Sequence, residues 1–130
     1  MWNGAAGTVS EGNIFINVDR AIAYGLVDRD KDHSGGVIRN NMVYYSPGLY
    51  GSSRKSGSDD TIIVWDSPDT HTYHNTVLTK GNLNKSIEYR FADTSGGEVK
   101  NNLVDAPITT RNGAIFVTAG NVQSAGEHVR

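Results

Sequence analysis

The feature that most constrains this chain is a phrase that keeps returning. In "GGVIRNNMVYY", Gly35 to Tyr45, two adjacent asparagines sit inside a β-branched and aromatic run. Asparagine is a poor strand residue, and a buried amide needs hydrogen-bond partners. The phrase recurs as "HTYHNTVLT" (71–79) and "GEVKNNLVD" (97–105), and more loosely as "TVSEGNIFI" (8–16) and "IFVTAGNVQ" (115–123). Aligned on Asn13, Asn41, Asn75, Asn102 and Asn121, the copies are 28, 34, 27 and 19 residues apart. An uneven interval of this size reads as solenoid coils joined by loops of different length.

Each anchor is followed by a short apolar run, such as Ile14-Phe15-Ile16 or Met42-Val43-Tyr44. A second strand-like run lies between anchors: "AIAYGLV" (21–27), "TIIVWD" (61–66), "SIEYRFA" (86–92) and "PITTR" (107–111). These alternate with period two, and no window carries helical spacing. In the third run the alternation predicts Ile87, Tyr89 and Phe91 inward, with Glu88 and Arg90 outward. Loops too long for tight hairpins, and repeats running in one sense, favour parallel stacking of coils. Equivalent asparagines then form a ladder at a turn, each amide donating to the oxygen of the next. Asn41 is the expected ladder member, suited also to a left-handed turn, with Asn40 facing elsewhere. The alternative is an antiparallel sandwich with asparagine-rich turns, for which only Asn112-Gly113 gives a hairpin signal.

The repeat resembles that of the right-handed parallel β-helix, pectate-lyase-like superfamily, most closely in "IIVWDSPDTHTYHNTVL" (62–78). It is also similar to bacterial right-handed β-helix proteins of unsettled activity through "DRAIAYGL", "HSGGVIRNN" and "SIEYRFADT". The expected fold is therefore all-β: a right-handed parallel β-helix, or β-solenoid, of about four coils with an internal Asn ladder. One domain spans residues 1–130, with a Gly/Ser-rich insertion at about 46–60 that contains "GSSRKSGSDD". The resemblance implies activity on acidic polysaccharides, by lyases with a cationic base and often calcium, or by hydrolases with clustered Asp. Family members have more coils, an export signal and end caps. The termini, "MWNGAAGTVSEG" and "SAGEHVR", start and stop in mid-repeat, so the chain reads as a piece of a longer repeat protein. Uncapped ends predict homo-oligomerisation.

Composition trims the alternatives. Net charge is −2, so a broad basic surface for nucleic acid is not expected. No apolar run reaches membrane-spanning length, and no leader with a basic then an apolar region is legible. There are no cysteines, which rules out disulfides and thiolate metal sites and leaves the compartment open.

Two constellations carry candidate chemistry. In "DRDKDHSGG", Asp28, Asp30 and Asp32 alternate, a spacing that can wrap a hard cation such as calcium. Arg29 and Lys31 lie between them and can equally make this a solvated charged loop. Aligning Asp66 with Asp93, each nine residues before its anchor, sets Trp65 beside Ala92 and gathers Trp65, Glu88, Arg90 and Arg111 on one outer face. Cations around an aromatic plate suit a carbohydrate; surface ion pairs around a covering Trp are the plainer reading. His71 and His74, three apart, face opposite sides of a strand, so joint metal ligation is not expected. The leading functional expectation is a non-catalytic, self-associating scaffold or truncated β-helix module. The alternatives are a carbohydrate-binding module, or a lyase or hydrolase of acidic polysaccharide.

Overall fold

The computed structural model describes residues 4–57 and 60–124. Ser58, Asp59 and most of "SAGEHVR" lie outside that range, as do the first three residues. In chain order come β1 (Ala5–Ala6), β2 (Val9–Glu11), β3 (Ile14–Ile16), β4 (Ile22–Tyr24), β5 (His33–Ser34), β6 (Val37–Arg39) and β7 (Met42–Tyr44). A single helical turn and a half, α1 (Ser52–Gly57), occupies the Gly/Ser-rich insertion. Then follow β8 (Ile62–Trp65), β9 (His71–Tyr73), β10 (Thr76–Leu78), β11 (Ile87–Arg90), β12 (Gly97–Lys100), β13 (Leu103–Val104), β14 (Ile108–Arg111), β15 (Phe116–Ala119) and β16 (Val122–Gln123).

Every strand pairing among the described residues is parallel, which excludes the antiparallel sandwich. Sheet I orders β4-β8-β11-β14, sheet II β2-β6-β9-β12-β15 and sheet III β3-β7-β10-β13-β16, beside the small pair β1-β5. Each strand thus pairs with its own copy in the neighbouring repeat, and the chain passes from sheet I to II to III and back. This is an all-β architecture of stacked parallel sheets, compatible with a β-solenoid. No helix among the described residues is long and apolar enough to cross a membrane.

Alternation decides what is inside. Ile22, Tyr24, Ile62, Val64, Ile87 and Tyr89 of sheet I meet Ile38 and Val99 of sheet II and Val43, Val77 and Val104 of sheet III in one buried cluster. The outermost inward residues, Phe15, Ile108 and Phe116, are only partly covered. Phe91 departs from the predicted inward set: β11 ends at Arg90, and Phe91 stands in the turn with φ of 76°. Glu88 departs too, being fully buried although it faces outward.

The chain turns at corners that demand left-handed backbone. After sheet I these are Gly25, Asp66, Phe91 and Asn112. After sheet II they are Gly12, Asn40, His74, Asn101 and Gly120, each immediately before an anchor asparagine. The left-handed residue of the Asn-Asn pair is therefore Asn40 (φ 57°), not Asn41. Gly, Asn, Asp and His tolerate this region better than most residues, which explains the composition of the column. At Gly25 space also decides: an added Cβ would lie 1.8 Å from the Trp65 carbonyl oxygen.

The anchor asparagines bond from repeat to repeat. Asn13 Nδ2 donates to Asn41 Oδ1 (3.0 Å), Asn41 Nδ2 to Asn75 Oδ1 (3.0 Å), Asn75 Nδ2 to Asn102 Oδ1 (3.0 Å) and Asn102 Nδ2 to Asn121 Oδ1 (2.9 Å). Each donor's backbone N–H reaches the same oxygen. The second Nδ2 hydrogen of Asn75 goes to the Ile38 carbonyl at 3.0 Å. Asn75, 1% exposed, thereby fills both donor and both acceptor positions of its amide.

Candidate functional site

The outer face of sheet I brings together Trp65, Glu88, Arg90 and Arg111, in a register that differs from the sequence alignment. Trp65 pairs with Arg90, and Arg90 with Arg111; Ile63 pairs with Glu88, and Glu88 with Thr109. The alignment of Asp66 with Asp93 is out by two residues. The cause is the turn between sheets I and II, which is longer after β11 than after β8: His71 pairs with Glu98, so two extra residues separate β11 from β12. Counting back from the asparagine cannot see an insertion inside a turn.

The row is tightly bonded. Trp65 Nε1 donates to Glu88 Oε1 at 3.0 Å. Arg111 Nε and Nη2 donate to the same carboxylate at 3.0–3.1 Å, and Lys85 Nζ reaches Oε2 at 2.5 Å. Arg90, Arg111 and Arg20 stand 4.7, 5.6 and 5.8 Å from the Trp65 ring centroid, within cation–π range. Trp65 is consequently only 6% exposed. The expected aromatic plate is closed: its ring is covered by guanidinium groups and its N–H is committed to Glu88. What solvent meets on this face is cationic, because Arg111 is exposed and Arg90 half-buried.

Asp60, 6% exposed, lies against Glu88. Burial, followed by repulsion from the Glu88 carboxylate, pushes its pKa up to about 6. Burial also pushes Glu88 up, but hydrogen bonds from Lys85 and Arg111 outweigh it and hold Glu88 below the usual carboxylate range. The two carboxyl groups thus divide roles, Glu88 ionised and Asp60 prone to hold a proton. With no accessible surface on Glu88, the pair braces the row rather than facing a ligand. Lys85 and Asp60 were missed in sequence because they sit in loops, where neither repeat nor alternation marks a position.

The acidic loop is redistributed. Asp32, 1% exposed, turns back on its own loop: its Oδ2 accepts the N–H of Leu26 (2.7 Å) and of Val27 (3.3 Å), and Oδ1 accepts Arg29 Nε (2.7 Å). Asp30, with φ of 63°, and Asp28 are exposed. Asp28, Asp30 and Asp32 therefore do not converge as the spacing predicts. Asp28 instead meets Asp66 and Asp93, with one carboxylate oxygen from each within 4.8 Å of the others. The available signal was an Asp in the turn after each of three successive sheet I strands.

His71 and His74 serve separate ends. His74 is a left-handed corner residue, while His71 Nδ1 lies 2.9 Å from the Tyr73 hydroxyl and 3.3 Å from Glu98. Comparison with known protein families, with curated proteins and with solved structures finds no match. The resemblance to pectate-lyase-like proteins therefore rests on the repeat and on the parallel strand order alone.

Proposed function

We propose that this chain is a right-handed parallel β-helix of about four coils with an internal asparagine ladder, and that it works as a non-catalytic, self-associating scaffold. One observation carries the reading: the two ends of the amide column are complementary. At one end Asn13 Oδ1 accepts no bond among the described residues. At the other, Asn121 accepts from Asn102 and spends one Nδ2 hydrogen on the Val99 carbonyl. Its remaining donors are the kind that Asn13 Oδ1 takes. Among the described residues, the outermost strands of sheets II and III, β2 and β3 at one end and β15 and β16 at the other, pair on one side only. Partly covered Phe15, Ile108 and Phe116 expose apolar cross-section beside them. A second copy stacked head to tail would continue sheets II and III in parallel and the amide column in register. Such a heterologous contact does not close, so it propagates into filaments.

The test is light scattering behind size exclusion across the micromolar range, with Gln123→Pro as the variant. Val122 and Ser124 donate inward to Asn102 and Val104, so the Gln123 N–H faces the open edge. Proline there removes an outward donor and spares the internal bonds. Species larger than 14.1 kDa that grow with concentration, and shrink in Gln123→Pro, are expected. A wild-type chain that stays monomeric throughout refutes the reading.

A second reading, binding of an acidic polysaccharide, is favoured by the guanidinium groups of Arg20, Arg90 and Arg111 around Trp65. A polyanion would displace those cations and change Trp65 fluorescence. A flat titration with oligouronates excludes it.

A further inference from the structure

Asp28, Asp66 and Asp93 come from the turns after β4, β8 and β11, one from each of three successive repeats. Like charges brought this close repel, and a fold does not gather them without compensation.

Acidic clusters on surfaces are common, but Asp66 separates this one from them. Its side chain is fully buried. Oδ2 is satisfied, accepting the N–H of Arg29 at 2.9 Å and of Asp32 at 3.2 Å. Oδ1 is buried and has no hydrogen-bond partner. A buried carboxylate oxygen left unpaired is costly to the fold. The nearby guanidinium of Arg29 pairs with Asp32.

We propose that Asp28, Asp66 and Asp93 hold one hard divalent cation, calcium in preference to magnesium. Calcium sits about 2.3–2.6 Å from its oxygens, so its ligands can stand up to about 5 Å apart; magnesium, at about 2.0–2.1 Å, demands a tighter set. Three protein carboxylates gathered around one point suit calcium, whereas magnesium keeps most of its waters and is usually held by one or two carboxylates. Backbone carbonyls and water complete the coordination. The ion gives Asp66 Oδ1 its missing partner and cancels the repulsion on Asp93. Because its ligands come from three repeats, it clips their corners together on the side of sheet I that faces sheet II.

Trp65 precedes Asp66, so terbium at this site is within reach of an excited indole. The experiment is indole-sensitised terbium luminescence of the full chain, with calcium and magnesium as competitors, beside thermal melts with and without calcium. Saturable emission that calcium displaces at lower concentration than magnesium is expected, with a calcium-dependent rise in melting temperature. Asp93→Asn and Asp28→Asn, both at exposed positions, should each weaken binding about tenfold or more, as loss of a ligand charge does. Asp30→Asn, which removes a nearby charge but no ligand, should weaken binding less than either. Absence of saturable emission, a melting temperature indifferent to calcium, or equal loss in Asp30→Asn overturns the site. Equal competition by magnesium overturns the preference. Circular dichroism verifies that each variant is folded, and the wild-type melt decides the matter if one is not.

Discussion

Replacing Asn75 by Ala tests the amide column directly. Asn75 has four hydrogen bonds on its side chain, two received from Asn41 and two given, to Ile38 and Asn102. Truncation removes all four. Asn102 Oδ1 keeps the Asn75 backbone N–H at 2.9 Å. The backbone N–H of Asn41 and one of its Nδ2 hydrogens lose their acceptor at a residue only 3% exposed. At about 1–3 kcal/mol for each buried group left unpaired, these two donors alone imply roughly 2–6 kcal/mol. We expect about 3–5 kcal/mol, a large share of the roughly 5–15 kcal/mol that holds an ordinary domain. Urea unfolding followed by circular dichroism would read this as a midpoint lowered by roughly 1.5–2.5 M, for a slope near 2 kcal/mol/M. Asn75→Asp should be no milder at neutral pH, because it sets carboxylate oxygen against the oxygens of Ile38 and Asn102. Asn13→Ala, at the exposed end of the column, should cost about 1 kcal/mol or less, since Asn13 Oδ1 accepts no bond among the described residues and Asn41 Oδ1 keeps the Asn13 backbone N–H. If Asn75→Ala costs no more than Asn13→Ala, the buried column is not what holds the repeats in register.

Two further outcomes follow from the corners and the carboxyl pair. Asp60→Asn should stabilise the fold at pH 7 by about 1–2 kcal/mol. Because the folded pKa, about 6, lies above the unfolded value, the folded state binds more protons between the two. The wild type therefore loses stability as pH rises through that window, and the advantage of Asn should vanish below about pH 4; an advantage that persists in acid contradicts the assignment. Gly25→Ala must place a methyl group 1.8 Å from the Trp65 carbonyl at φ of 75°, whereas Gly12→Ala, at φ of 70°, meets nothing within 4 Å. The first should lower stability by about 2–4 kcal/mol and the second by about 1–2, so equal melting temperatures would refute the steric account.

Much of the fold was legible because a stacked repeat writes itself into sequence twice. The anchor asparagines mark a corner that recurs, and the period-two runs after and between them mark strands. Parallel pairing followed from the repeats running in one sense. That the left-handed residue is Asn40 rather than Asn41 was not legible, since both suit that conformation and only the backbone path distinguishes them. Phe91 and the two-residue shift between β8 and β11 were hidden for a related reason: a turn can lengthen without disturbing the alternation on either side.

The candidate sites were legible as residues but not as groups. Trp65, Glu88, Arg90 and Arg111 belong to one face by alternation alone, and the structure gathers them. Alternation says nothing of depth, however, and the same four residues cover one another: the guanidinium groups close over the indole and Glu88 is buried among its donors. The alternating Asp28, Asp30 and Asp32 looked like a cluster because they are close along the chain, yet of the three only Asp28 joins a group of carboxylates close enough to share an ion.

By itself, the sequence determined the β-class, the repeat and the sense in which the strands run, because periodicity and left-handed corners are local properties of the chain. Tertiary structure alone decided which side chains share a rung, which outward residue is buried and which carboxylates meet. Those outcomes depend on how many residues each corner absorbs before the next strand pairs. That length is set by packing against the neighbouring repeat, which no local pattern records.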